Sequence, residues 1–300
     1  MSAHSQKIER ISTQLRNRTS TAPVSLKKKA VRHQVPNPLD KRHSDPKIDV
    51  SDLNRILEID PVARTCTAEP GVTFVELVRA TLKHSLVPFC VPEQKTITIG
   101  GAVAGCSIES MSYKYGGFHD SCLEYEVITA KGEVLTCTPD NGNKLVFQMV
   151  HGTFGTLGII SCLKFKLTPA KPYVKVTNEK YPSVEAYQAG ILKHYREQDA
   201  DFMDGMIFSA TECVLCIGNF VDEAPYAHNY EWMRIYYEMA QNQQEDYMRT
   251  IDYFFRYDKG TTHVDLKSPL SRFLFGRFVG STNVLWFAQT FHKILPASII

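Results

Sequence analysis

The sequence predicts an α+β chain built in two parts. Three observations carry that reading. Segments with helical spacing are interspersed with segments that alternate apolar and polar residues. Glycine is concentrated in one region, with ten of the 17 glycines between Gly100 and Gly158. The texture changes after Ala170-Lys171-Pro172, beyond which aromatic residues accumulate toward the C-terminus.

At 300 residues the chain has the size of two domains sharing an interface. Hydrophobic residues make up 43% and charged residues 22%, which excludes bulk disorder, a collagen-like repeat and a disulfide scaffold. No stretch approaches the roughly 18 apolar residues that cross a bilayer, and the first residues contain no apolar signal-peptide core. The eight cysteines are scattered singly, the pattern of reduced intracellular thiols. Net charge is +2, unevenly placed: residues 1–43 hold ten Lys/Arg against two acids. Such an arm can meet phosphate on a cofactor or a membrane surface; the plainer reading is a solvated terminus.

Gln6 to Arg18 has helical spacing at Ile8, Ile11 and Leu15. Residues 19–50 contain four prolines and predict short strands at best. Arg55–Ile59 and Val62–Ala68 flank Asp60-Pro61 as a hairpin. Thr73 and Glu76 form a capping box opening a helix that reaches about His84. Leu86–Phe89 predicts a short buried strand. Tyr125–Thr129 and Val134–Cys137 predict a hairpin around Lys131-Gly132. Leu145–Val150 reads as a helical turn. Ile159–Leu167 predicts a strand presenting Ile160, Cys162, Phe165 and Leu167, ending at Pro169. Helices are expected over 183–196 and 224–240, and strands over 202–208 and 213–220.

The strongest local signal is Thr98-Ile-Gly-Gly-Ala-Val-Ala-Gly-Cys-Ser-Ile-Glu109, a glycine turn running into a helix start. Successive amides in such a turn form a concavity suited to an anion; the same glycines also serve close packing. The spacing is neither G-x-G-x-x-G nor a phosphate loop closed by Gly-Lys-Ser/Thr. A second signal is Gly152-Thr-Phe-Gly-Thr-Leu-Gly158, and a third is the aromatic run Tyr113-Lys-Tyr-Gly-Gly-Phe-His-Asp120.

Together these motifs carry a family resemblance. Pro92-Glu93, Thr98-x-Gly100-Gly101, Gly105, Lys114-Tyr115-Gly116, the Glu133–Pro139 hairpin and Gly155-Thr-Leu-Gly158 resemble the FAD-binding domain of the vanillyl-alcohol-oxidase/p-cresol-methylhydroxylase (PCMH) type. Gly105–Ser110, Ser112-x-Lys-Tyr-Gly116 and Pro169–Lys175 are similar to the delta-24 sterol reductases. The likeness is dense from Ile56 to Lys175 and thinner from Arg18 to Ile56 and at Arg272–Gly276.

The resemblance implies a two-subdomain PCMH-type FAD-binding domain over 1–170 and a substrate, or cap, domain over 171–300 that is expected to be truncated. It implies reduction of a C=C bond in the side chain of a sterol, with NADPH as reductant through the flavin. The family also carries a membrane anchor and a longer C-terminal stretch that find no match in these 300 residues. By this resemblance, Thr81–Glu93 and Thr98–Glu109 hold pyrophosphate and isoalloxazine. The residues carried over are Pro92, Glu93, Thr98, Ile99, Gly100, Gly101, Gly105, Cys106, Ser107 and Glu109, with Tyr115 and Gly116 nearby. Gly155, Gly158, Ile159 and Ile160 shape the adenine end, and Arg18 and Lys27 face phosphate. Pro23–Arg32, where many relatives place a first glycine loop or a flavin-linking histidine, has neither glycine nor histidine, so FAD is expected to be non-covalent.

Catalytic candidates are His119 and His151, either able to supply a proton, and Glu109, able to contact flavin or ribose; packing and helix capping are the plainer readings. Cys213-Val-Leu-Cys216 has ligand-like spacing but no second pair, and an alternating strand would turn the two cysteines to opposite faces, so no metal is expected. The C-terminal aromatics are core or the cradle of a sterol-like substrate. Neither a nucleic-acid partner nor a membrane-spanning segment is expected; the location is cytoplasmic or peripheral on the ER membrane. Another FAD-linked oxidase or dehydrogenase, or a non-catalytic FAD-binding remnant, are the competing functions.

Overall fold

Helix α1 (Ala3–Arg16) begins where the Ser2 hydroxyl accepts the Ser5 amide, and it buries Ile8, Ile11 and Leu15. The computed structural model describes residues 2–28, 44–231 and 235–258, with Leu270 and Phe273. Two three-residue strands, β1 (Ser25–Lys27) and β2 (Lys47–Asp49), pair in parallel. The apolar stripe of α1 packs with Ile48, Leu53, Ile128 and Ile159, and Val24, Leu26 and Val50 close over them. A buried carboxylate fastens the helix: Glu69, 0% exposed, lies 2.7 Å from Lys7 Nζ and 2.8 Å from His4 Nδ1. Burial alone would raise the Glu69 pKa; hydrogen bonds from Lys7, His4 and the Arg55 amide outweigh it and hold the carboxyl below its usual value.

The larger sheet has the order β3-β4-β8-β6-β7, with β5 paired to the far end of β8. Strands β3 (Ile56–Asp60) and β4 (Thr65–Ala68) form the expected hairpin. The Thr73/Glu76 capping box then opens α2 (Phe74–Thr81), a turn over Leu82–His84 follows, and β5 (Leu86–Pro88) is fully buried. Helices α3 (Ile99–Ala104) and α4 (Ser112–Tyr115) precede the hairpin of β6 (Cys122–Ile128) and β7 (Val134–Cys137). After α5 (Lys144–Met149), β8 (Ile159–Pro169) runs antiparallel to β4, β5 and β6 as the spine of the sheet. Phe74, Phe118 and Phe165 meet at centroid distances of 5.1 Å in the core.

The buried face of β8 differs from the expected one. It carries Ile159, Ser161, Leu163, Phe165 and Leu167, while Ile160 and Cys162 are half-buried. A polar residue sits inside because the Ser161 hydroxyl donates to Glu126 Oε1 at 2.6 Å, which satisfies it there.

The backbone crosses from β8 to β9 (Tyr173–Tyr181) through residues 170–172 and enters a four-stranded antiparallel sheet of order β10-β11-β9-β12. Helix α6 (Val184–Glu197), capped by Ser183, lies between β9 and β10 (Phe202–Ser209). Strand β11 (Glu212–Val221), helix α7 (Tyr236–Asn242), strand β12 (Glu245–Arg249) and helix α8 (Thr250–Phe254) complete the described elements. The architecture is α+β, and one hydrophobic core runs through both sheets.

Among the described residues, the helix expected over 224–240 is found only as α7. Residues 224–231 are not helical, because their polar groups bond to β12 instead: His228 N donates to the Tyr247 carbonyl at 2.8 Å, and the Tyr230 hydroxyl donates to Asp246. Cys213 and Cys216 are both buried and free, because β11 is covered on both faces. Of the C-terminal aromatics, Tyr253, Phe254 and Phe255 are core and Phe273 is exposed. Phe275, Phe278, Trp286, Phe287 and Phe291 lie outside the described residues.

Candidate cofactor-binding groove

A groove of about 300 Å³ lies at the end of the larger sheet where β8 begins. The start of α2 and helix α3 form one wall, through Pro70, Gly71, Thr73, Glu76, Thr98, Gly100, Gly101 and Ala104. Leu26, Lys28, Val50, Ser51 and Asn54 come from the short parallel pair and the turn after it. Phe154, Gly155, Gly158, Ile159 and Ile160 complete the lining.

Two kinds of glycine build this wall. At Gly71 and Gly100 the backbone passes so close to itself that a Cβ would stand 2.3 Å from the Leu53 carbonyl oxygen or 2.5 Å from the Pro70 Cβ. At Gly101 and Gly155 the side-chain direction is open: a Cβ would meet only Thr98 Oγ1, at 3.2 Å, or nothing within 4 Å. The cradle is therefore one that a side chain at those two positions would fill, and the residues fit a flat, extended ligand lying against backbone.

The amides of α3 do not behave as the sequence suggests. Ile99 N donates to the Val72 carbonyl at 3.0 Å, Gly100 N to that of Pro70 at 2.9 Å, and Gly101 N to Thr98 Oγ1 at 3.3 Å. These donors are taken within the protein, so the turn contributes shape to the groove and not a nest of open amides. Loop 152–158 is tied to the same helix, with Gly152 N donating to the Val103 carbonyl and Phe154 N to that of Ala104, both at 3.2 Å.

Among the described lining residues Lys28 is the one cation and Glu76 the one acid. Glu76 is occupied by its capping box, accepting from the Thr73 amide at 3.0 Å and hydroxyl at 2.6 Å. Desolvation lowers the Lys28 pKa.

Of the residues expected at the cofactor, Thr98, Gly100, Gly101, Gly155, Gly158, Ile159 and Ile160 converge on the groove. Ile99 is fully buried beneath it. Pro92, Glu93, Gly105, Cys106, Ser107, Glu109, Tyr115 and Gly116 are not in its lining. Tyr115 instead stacks on Phe89 at 4.4 Å. The Lys27 ammonium is paired with Asp49 at 2.8 Å, and Arg18 donates to the Ala22 carbonyl, so among the described residues of the arm the cation at the groove is Lys28. The sequence reading missed Lys28, although it lies in the Lys27-Lys28-Lys29 run. It also missed Leu26 and Val50, which no local pattern marks; Phe154 falls within the Gly152–Gly158 run but was not singled out.

The three catalytic candidates are not brought together. His119 and His151 stack ring on ring at 4.6 Å, and burial, with His119 alongside, lowers the His151 pKa. Glu109 lies where the larger sheet meets the smaller one: the next residue, Ser110, accepts the Met203 amide at 2.8 Å. Burial pushes the Glu109 carboxyl up to about 7, opposed by Arg256 and helped by Asp204 and Glu93. Arg256, 2% exposed, pairs with Asp204 at 2.6 Å and lies 3.9 Å over Tyr253, 4.7 Å over Tyr257 and 5.0 Å over Tyr236. The Tyr257 hydroxyl donates to the same Asp204 oxygen at 2.8 Å. This cluster joins residues more than fifty positions apart, so only the fold reveals it. Elsewhere, His194, Glu197 and Asp199 lie close enough to share a cation. Both His194 nitrogens already face carboxylates, Asp199 at 2.9 Å and Glu179 at 3.2 Å, which makes it an ion-paired histidine.

Residues 38–138 match the family described as FAD binding domain. The chain is 33% identical to the delta(24)-sterol reductase of Homo sapiens over 184 residues, covering 61% of this chain and 35% of that protein. It is 31% identical to that of Pisum sativum over 186 residues, covering 59% and 33%. It is 28% identical to cytokinin dehydrogenase 1 of Arabidopsis thaliana over 140 residues, covering 46% and 24%. The chain spans about a third of the length of the sterol reductases it matches. It carries an FAD-binding domain of the PCMH type and is similar to delta(24)-sterol reductases.

Proposed function

We propose that this protein, through its FAD-binding domain, is part of a flavoprotein oxidoreductase that reduces a C=C bond in the side chain of a sterol-like substrate, with NADPH as reductant. The carrying observation is the open-sided glycine groove, whose wall from Val50 to Ala104 falls within residues 38–138, matched to the FAD-binding family. Residues 1–170 carry the cofactor and 171–300 belong to the substrate side.

FAD, when bound, supplies the hydride chemistry. The protein supplies the rest. Gly101 and Gly155 leave room for the cofactor's body, Thr98 lines the groove with its hydroxyl, and Lys28 offers positive charge to phosphate. Burial lifts the Glu109 carboxyl to about 7, so at neutral pH a substantial fraction of it holds a proton on the side facing the second sheet. The apolar core shared by the two sheets limits water there.

The test is anaerobic. Purified protein reconstituted with FAD is mixed with NADPH, and the flavin absorbance is followed before and after a sterol carrying a side-chain alkene is added. Bleaching by NADPH and recovery with the sterol are expected. A flavin that resists NADPH but is bleached by an amine or alcohol donor would favour a dehydrogenase instead, the reading to which the cytokinin dehydrogenase match lends weight.

A further inference from the structure

Another cavity, of about 310 Å³, lies where α2 and the segment before α3 meet β12 and α8. Its position follows from the two faces of α2. Thr73 and Glu76, at the start of that helix, belong to the glycine groove, whereas Val75 and Arg79, one turn apart, face this cavity. Three cations converge on it: Arg79 from α2, Lys95 from the segment before α3, and Arg249 from the end of β12. Two acids face them. Lys95 Nζ is 2.6 Å from Glu231, and Arg249 Nε is 2.5 Å from Asp252. Arg79 has no partner among the described residues, so the described lining keeps one positive charge in excess of its acids. The Tyr230 hydroxyl is turned to Asp246, which leaves its ring as apolar wall beside the cations.

We propose that this cavity is the anion site of the reductant, taking the phosphate carried on the ribose of NADPH. This rests on the flavoprotein reading above. The assignment follows the charge each ligand brings. A sterol is uncharged and has no use for guanidinium groups. Lys28 serves the phosphates of FAD from the groove on the other face of α2. NADPH is then the phosphate-bearing ligand that still needs a cation, and its ribose phosphate is a monoester carrying about two negative charges near neutral pH. A guanidinium fork matches such a group in geometry and charge. The volume is at the low end for small-molecule pockets, enough for a phosphate with the sugar that bears it. Arg79 and Lys95 come from the cofactor part of the chain and Arg249 from the substrate part, so the reductant is held where the two meet.

Calorimetric titration of the FAD-loaded protein with 2′,5′-ADP, 5′-AMP and inorganic phosphate tests this without turnover. The two nucleotides differ only in the ribose phosphate at issue. Losing one charge-assisted hydrogen bond corresponds to about ten-fold or more in affinity. The wild type is therefore expected to favour 2′,5′-ADP over 5′-AMP by at least about ten-fold. Arg79 is exposed on its helix, so Arg79→Gln keeps the fold; it should bring 2′,5′-ADP down to the level of 5′-AMP, and Arg79→Lys should recover part of the loss. Arg196→Gln, which removes the same charge from α6 outside the cavity, should leave affinity within about two-fold. Equal binding of 2′,5′-ADP by the wild type and Arg79→Gln overturns the proposal. So does an equal loss in Arg196→Gln, or inorganic phosphate binding as tightly as 2′,5′-ADP, the mark of a site for free anions. If NADPH fails to bleach the wild-type flavin anaerobically, the reading beneath the proposal fails with it; if NADPH bleaches it and Arg79→Gln binds 2′,5′-ADP like the wild type, only this site fails.

Discussion

A Cβ at Gly100 would stand 2.5 Å from the Cβ of Pro70 and 3.0 Å from its carbonyl oxygen, the same oxygen that accepts the Gly100 amide at 2.9 Å. One position on, Gly101 has no such neighbour, only Thr98 Oγ1 at 3.2 Å. Adjacent glycines in one motif thus answer to different demands, Gly100 to packing and Gly101 to the groove. Gly100→Ala is expected to cost about 1–3 kcal/mol of stability, since α3 must move off the Pro70–Gly71 turn. Gly101→Val is expected to shift stability by no more than about 1 kcal/mol, because it replaces a helical glycine with a β-branched residue. It should nonetheless abolish FAD retention by filling the cradle. Thermal melts paired with the flavin-to-protein absorbance ratio separate the two, and wild-type occupancy in Gly101→Val would place the cofactor elsewhere.

Lys27 and Lys28 are consecutive exposed lysines that face different neighbours. The Lys27 ammonium is 2.8 Å from Asp49, on the exposed edge of β1, whereas Lys28 lines the groove. A phosphate-bearing ligand would gain a charge-assisted hydrogen bond from Lys28 worth about 1.5–3 kcal/mol. Lys28→Ala is therefore expected to weaken FAD about ten-fold or more, with a shallower dependence of affinity on salt. Lys27→Ala should leave affinity within about two-fold. Equal effects from the two substitutions would mean that the arm acts by its net charge alone.

Local rules account for the parts of this fold that were legible in the sequence. The Thr73/Glu76 capping box, the Ile8-Ile11-Leu15 stripe and the hairpin around Lys131-Gly132 each specify their structure within a few residues. Misreadings arose where tertiary bonds overrode local pattern. Residues 224–231 have polar groups that find partners on β12, and Ser161 takes an inward position because Glu126 receives its hydroxyl. The groove was half legible. Its glycines announce themselves, but which of them face a ligand depends on Pro70 and Leu53, distant in sequence. The Asp204–Arg256 pair carries no sequence signature at all, since its burial is a property of the fold.

Glu109 gives the seam between the sheets a measurable pH dependence. Burial is the main cause that lifts its carboxyl to about 7; Arg256 opposes the shift and Asp204 and Glu93 add to it. The unfolded chain releases this proton near the ordinary glutamate value of about 4.3. Between that value and about 7 the folded protein binds more protons than the unfolded one, so stability falls as pH rises through this window and levels off above it. Glu109→Gln keeps the shape and cannot ionise, so the variant should gain on the wild type between pH 5 and pH 8. After allowance for partial solvent screening the gain is about 1–2 kcal/mol, read from urea denaturation at the two pH values. If Glu109 supplies the proton in alkene reduction, the same substitution slows sterol-dependent flavin reoxidation while leaving flavin reduction by NADPH intact, the exchange of stability for function expected of a catalytic acid. Parallel stability curves for the two proteins from pH 5 to pH 8 would show that Glu109 ionises as an ordinary carboxylate and holds no proton for the reaction.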